Sequence, residues 1–205
     1  MKPRLYLALI IIPLGLILAA VPANTTHPYK LSPKEMLEHV NSGMQYFSPD
    51  EVAHMIVSKD PSLVLIDVRA ETEYEKFHLP GAINIPLSSL LEEQWKDYLN
   101  QDLRYNVFYS NSTVNANQAW MLTRQLGYEY NYVLRGGLNY WVETIMNPTA
   151  PGPTSPDEEI AKYDFRKGAG QALGGGAAIE SSGQIAPELP KIAPRPKKKR
   201  AQGGC

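Results

Sequence analysis

Between Tyr105 and Gly127 the chain changes its periodicity abruptly, and this change limits the folds open to it. Tyr105-Asn106-Val107-Phe108-Tyr109 is a short apolar-rich run with the length and residue types of a buried strand. It breaks at once into Ser110-Asn111-Ser112-Thr113-Val114-Asn115. Ala116, Ala119, Leu122 and Leu126 then recur on one face of a helix that Gly127 ends. Strand, tight polar loop and helix together make an anion cradle, because loop N–H groups and the helix N-terminus point at one spot. The spacing therefore predicts a cradle over residues 110–115, headed by the Ser110 hydroxyl.

The flanking sequence repeats the alternation. Ser32-Pro33-Lys34-Glu35 is a capped helix start, running to about Asn41 with Gly43 just beyond. Ser48-Pro49-Asp50-Glu51 is a second, with Val52, Met55 and Ile56 as its buried face. Leu63 to Val68 reads as a buried strand, Glu71 to Phe77 as one or two helical turns and Ala82 to Ile85 as a strand stopped by Pro86. Ser88 to Tyr98 reads as a helix with Leu91, Trp95 and Tyr98 inward. Tyr132-Val133-Leu134 is a strand, and Leu138 to Met146 a last helix carrying Tyr140, Trp141 and Ile145. Alternating strands and helices imply an α/β domain with a mainly parallel sheet. Ligands of such sheets sit at the strands' carboxyl ends, where the 110–115 loop falls.

The two ends differ from the body. Lys2 and Arg4 precede an uncharged apolar run over residues 5–21, and Val21-Pro22-Ala23 offers small residues for signal peptidase. Residues 1–23 are thus expected to be a signal peptide, or else a retained membrane anchor, and the body to be exported to a bacterial periplasm or cell envelope. Residues 24–45 form a helical extension and 46–147 the domain. Residues 148–161 form a Pro-rich linker, with a short helix possible over Asp157 to Phe165. Residues 162–205 form a flexible basic tail. From Asn24 to Ala161 there are 9 basic and 18 acidic residues, a net −9; from Lys162 there are 9 basic and 3 acidic, a net +6. Cys205 is the one cysteine, so no internal disulfide is possible. Lys197, Lys198, Lys199 and Arg200 suit an anionic membrane surface. No nucleic-acid partner is expected.

Asp67-Val68-Arg69, Glu73 and His78-Leu79-Pro80-Gly81-Ala82-Ile83-Asn84-Ile85-Pro86 resemble the front signature of rhodanese-like domains. Gly127, Leu134-Arg135-Gly136-Gly137 and Trp141 resemble its back half. The resemblance implies a five-stranded parallel sheet with helices on both faces and a sulfurtransferase ancestry. Its signature residues also have physical roles of their own. Asp67 can accept loop hydrogen bonds, Arg69 and Glu73 can pair, and Gly81 allows a reversal. Asp67, Arg69, Glu73, His78, Gly81, Gly136, Gly137 and Trp141 are therefore read as structural.

Active relatives of that kind open the loop with a cysteine that carries sulfur as a persulfide, and a positive residue late in the loop lowers its pKa. Aligned on the resemblance, Ser110 stands at the cysteine position and Asn115 at the arginine position. Serine cannot form a persulfide. The expected function is a non-catalytic binding module of the envelope, meeting a protein or a small anionic or sulfur ligand, without metal or cofactor. The alternatives are a sulfurtransferase or thiol-redox protein using Cys205 on its tail, and a membrane-anchored interaction protein.

Overall fold

Both serine–proline starts form capped helices. The computed structural model describes residues 3–20 and 30–174. In it α1 spans Pro3–Ala20 and α2 Pro33–Ser42. β1 (Tyr46–Phe47) leads into α3 (Pro49–Val57). Ser32 accepts from Glu35 N while the Glu35 carboxylate accepts from Ser32 N, and Ser48 and Glu51 repeat the arrangement. Each box satisfies two of the donors a helix start leaves orphaned. Gly43 closes α2 in the left-handed conformation, φ 66°.

β2 (Leu63–Asp67), α4 (Glu71–Lys76) and β3 (Ile83–Asn84) follow, then α5 (Lys96–Leu99), β4 (Tyr105–Tyr109) and α6 (Thr113–Gln125). β5 (Asn131–Leu134), α7 (Gly137–Trp141) and α8 (Asp157–Ala172) complete the described fold. The strands form one sheet in the order β1-β5-β4-β2-β3, every neighbouring pair parallel. Side chains alternate across it. Leu65, Val107, Tyr109 and Leu134 face one core with Val52, Trp141 and Ile145. Ile66, Phe108 and Val133 face the other with Ala116, Trp120 and Leu99. Burial on both faces explains why these strands read as continuous apolar runs.

Several elements differ from expectation. The 88–98 segment is two 3₁₀ turns, Leu87–Ser89 and Glu93–Trp95, followed by α5. The 3.6-residue phase is lost, so Leu90 and Leu99 are buried while Leu91 is 58% exposed. α6 begins three residues earlier than the apolar pattern implied. It buries Ala116, Ala119, Trp120 and Thr123, and Leu122 is exposed instead. α7 buries Trp141, but Tyr140 points outward, and Val142–Met146 continues as a π turn that buries Ile145.

The largest correction is α8. It extends past Phe165, through residues expected to be a flexible tail. Arg166 grips Asp50 of α3 with Nε–Oδ1 and Nη2–Oδ2 bonds of 2.7 Å each, and Lys162 lies 3.5 Å from the same carboxylate. Asp157, Glu158 and Glu159 occupy its first turn, where acidic groups suit the helix dipole. Gly170 sits so close to the Ile145 carbonyl that a Cβ has no room. Gly168 and Gly170 each disfavour a helix by about 1 kcal/mol relative to Ala, so docking to α3 and the π turn decides this element.

Residues 21–23, Lys197 to Arg200 and Cys205 lie outside the described residues. α1 exposes its apolar side chains, Ile10 and Leu16 at 67%. Among the described residues no helix is long and apolar enough to cross a membrane.

Candidate functional site

At the carboxyl end of β2 the chain buries a charge pair. Asp67 is fully buried and Arg69 nearly so. Asp67 accepts from Arg69 N at 2.9 Å, from Nε at 3.0 and 3.1 Å and from Nη2 at 2.6 Å. Arg69 Nη2 also donates to the Phe77 carbonyl at 2.6 Å, which ties the end of α4 to the strand. Burial pulls the Arg69 pKa down, but hydrogen bonding and attraction to Asp67 outweigh it and hold the guanidinium above its ordinary value. The pair expected between Arg69 and Glu73 does not form. Arg69 takes the nearer carboxylate inside the fold, because a desolvated charge needs a close, well-hydrogen-bonded partner.

Glu73 pairs instead with the loop. Asn111 Nδ2 donates to Glu73 Oε1 at 3.1 Å, and Asn111 Oδ1 accepts from Arg69 Nη1 at 3.1 Å. Asn111 thus bridges the two residues expected to bond each other. The sequence held only a weak sign of this, an amide in a loop opposite an Asp–Val–Arg motif. Asn84 adds a second tie that its place in the sequence does not announce. Its Nδ2 donates to the carbonyls of Asp67 and Arg69, at 3.0 Å each.

The loop is shorter than 110–115. Only Ser110, Asn111 and Ser112 lie outside regular structure; Thr113, Val114 and Asn115 form the first turn of α6. Ser110 is 2% exposed, and its hydroxyl donates to the Ser112 carbonyl in a short hydrogen bond. Ser112 Oγ accepts from Val114 N at 3.4 Å as the helix cap. Thr113 Oγ1 accepts from Gly136 N at 3.0 Å. All three hydroxyls offered for a cradle are therefore engaged inside the protein. The loop carbonyls are tied down as well, Ser110 O accepting from Leu138 N at 2.8 Å and Asn111 O from Asn139 N at 3.0 Å. Val114 and Asn115 are exposed, and no cation stands at position 115.

Gly136 and Gly137 have φ 77° and 62°, and both are needed where α7 abuts the loop. A Cβ on Gly137 would meet Ser110 O at 2.5 Å. Gly81 has φ 76° at the reversal after Pro80. His78 stacks on Tyr74 with centroids 4.1 Å apart, and its Nδ1 is 2.9 Å from the Tyr74 carbonyl. Trp141 fills the core below α7. Tyr109, directly before Ser110, accepts from Leu79 N at 3.1 Å. Burial, and then the charge of Asp67, push its phenol far up, so it stays neutral. Among the described residues no hydrogen bond joins Ser110 to a histidine or carboxylate. No group of three His, Cys, Asp or Glu residues is placed to hold a metal among them.

The family described as Rhodanese-like domain matches residues 48–144. A thiosulfate:glutathione sulfurtransferase of Saccharomyces cerevisiae is 27% identical over 111 residues, covering 49% of this chain and 80% of that protein. A putative thiosulfate sulfurtransferase of Haloferax volcanii is 27% identical over 120 residues, 51% of this chain. Only 42% of the archaeal protein is spanned. Among solved structures, the human single-domain sulfurtransferase TSTD1 is 26% identical with a TM-score of 0.41, covering 49% of this chain and 96% of that one.

Proposed function

Residues 48–144 are a rhodanese-like domain, and on that premise we propose that the chain is an exported, non-catalytic member that binds rather than transfers sulfur. One observation carries the reading. The residue heading the loop is a buried serine whose hydroxyl is committed to the Ser112 carbonyl. Thiosulfate:glutathione sulfurtransferase activity, the function named for its yeast relative, needs a sulfur nucleophile with a lowered pKa. A serine hydroxyl bonded only to a backbone carbonyl supplies neither the atom nor the activation. The loss of the cation at Asn115 points the same way. Export is supported by Lys2 and Arg4 before an apolar segment with exposed side chains such as Ile10, Ile12 and Leu16, followed by Val21-Pro22-Ala23.

The test is sulfur transfer from thiosulfate to cyanide, run on the full chain and on Cys205→Ser. The expected result is no turnover above the uncatalysed rate in either. Turnover that disappears in Cys205→Ser overturns the reading in favour of a tail thiol. Turnover that survives the substitution overturns it in favour of chemistry at the loop. The N-terminal residue of the exported protein tests the leader: a start at Asn24 is expected, and a retained Met1 rejects cleavage.

A further inference from the structure

On the side of the sheet that carries α3 and α8 lies an aromatic strip that the rhodanese-like reading does not use. Phe47, Tyr132, Tyr105 and Tyr130 run in contact along it. Ring centroids are 5.1 Å apart for Phe47–Tyr132, 5.7 Å for Tyr132–Tyr105 and 5.8 Å for Phe47–Tyr105, a triangle that Tyr130 extends at 6.5 Å from Tyr105. None is fully buried, and Tyr105 is 37% exposed. At the Phe47 end the strip opens into an apolar cavity of about 470 Å³ lined by Phe47, Asp50, Glu51, His54, Met55 and Phe165. Contacting, half-exposed aromatic rings beside an apolar pocket are how proteins receive proline-rich segments, whose extended form loses little entropy on binding.

The chain carries such a segment. Residues 185–200 read Ile-Ala-Pro-Glu-Leu-Pro-Lys-Ile-Ala-Pro-Arg-Pro-Lys-Lys-Lys-Arg. Pro187 and Pro190 are three apart, one polyproline turn of about 9 Å, so they can present the same face. The segment has 6 basic residues and 1 acidic, against 12 basic and 19 acidic over residues 30–174. Glu51 lines the cavity. The tether is also suitably placed. Phe165, in the cavity wall, belongs to α8, which ends at Ala172. The residues between Gly174 and Ile185 reach about 33 Å when extended. A tether of that length gives an effective concentration of order mM, enough to fill a groove of low intrinsic affinity.

We propose that residues 185–200 of this same chain dock along Tyr130, Tyr105, Tyr132 and Phe47, with an apolar side chain of the segment in the cavity beside Phe165. Tyr105 opens β4 and Ser110 follows its last residue, so the Tyr105 end of the strip is one strand length from the 110–112 loop, while Phe47 pairs at the level of Leu134, at the carboxyl end of the sheet.

Cys205 is the one cysteine of the chain and five residues past Arg200, so a nitroxide attached there reports the segment's position without a substitution. In the full chain, amide broadening is expected to be several-fold stronger at residues 47, 51–55, 105 and 130–132 than on the opposite face at residues 37–41 and 116–122. Replacing Pro187, Pro190 and Pro194 with Ala is expected to remove that contrast without touching the folded domain. Tyr105→Ala, with an unchanged far-UV spectrum, should weaken it. Uniform broadening, or broadening centred on the 110–112 loop, overturns the proposal. A mixture of nitroxide-bearing chains at natural abundance with ¹⁵N-enriched chains lacking the nitroxide supplies the second check. Broadening of equal strength in that mixture assigns the segment to a second copy and also overturns the proposal.

Discussion

Gly137→Ala tests the contact that closes the loop. Gly137 has φ +62°, and its new Cβ would lie 2.5 Å from Ser110 O and 2.9 Å from the Ser112 carbonyl carbon and oxygen. These are backbone atoms, so no side chain can swing away. The loop backbone is also held: Leu138 N donates to Ser110 O at 2.8 Å and Asn139 N to Asn111 O at 3.0 Å. The left-handed conformation costs a non-glycine residue about 1–2 kcal/mol. Forcing extra volume into a packed contact adds about 1–3 kcal/mol. The expected loss is therefore about 2–5 kcal/mol. Gly81→Ala is the control, because Gly81 has φ +76° and open space, with nothing within 4 Å of where its methyl group would stand. It should lose only the conformational part, about 1–2 kcal/mol. Urea unfolding of both variants, followed by the fluorescence of buried Trp141 and Trp120, gives the comparison. Equal losses in the two variants would refute the claim that α7 presses on the loop backbone.

Asp67→Asn leaves the Arg69 guanidinium buried without its countercharge, and a stability loss of about 3–5 kcal/mol is expected by the same urea titration. The Asp50 carboxyl is held below its ordinary range chiefly by its hydrogen bonds to Arg166, with attraction to Arg166 and Lys162 adding to them against burial. A depressed carboxylate stabilises the fold above its unfolded pKa of about 3.9 and loses that contribution as pH falls through the lower folded value. Hydrogen exchange in α8, corrected for the intrinsic pH dependence of exchange, should therefore report weaker protection on acidification through that window. Asp50→Asn should abolish the pH dependence and cost about 1 kcal/mol, since both partners are partly exposed. Gly170→Ala should free α8 from the π turn at Ile145 and open it to proteolysis while the sheet remains folded. Ser110→Cys should fold, but its thiol should react with a maleimide far more slowly than Cys205, because position 110 is 2% exposed.

Much of the fold was legible because its signals are local. Ser32 and Ser48 are each followed by Pro and then, at the third position, by Glu, and both capping boxes form. β2 and β4 announce themselves as continuous apolar runs because both sheet faces are covered. β1 did not, because two residues carry no periodicity and Tyr46–Phe47 is a strand only through its pairing with Val133 and Leu134. The site was legible at the level of residue type and no further. That Ser110 heads the loop can be read directly; that its hydroxyl turns back to Ser112 rather than into a pocket cannot. The Arg69–Glu73 pairing failed for a related reason. Sequence spacing gives reach, whereas burial decides which of two reachable carboxylates a charge must take.

Amino-acid order by itself determined the α/β alternation, the rhodanese-like signature, the helix caps and the absence of a cysteine from the loop, because each depends on residue identity over a few positions. Tertiary structure alone decided that Asn111 bridges Arg69 and Glu73, that the hydroxyls of Ser110 and Ser112 and the carbonyls of Ser110 and Asn111 are bonded within the protein, and that residues 157–172 dock as a helix through Arg166 and Asp50. These depend on groups up to 116 residues apart in the chain, whose contact no local preference encodes and whose worth arises only when folding removes them from water.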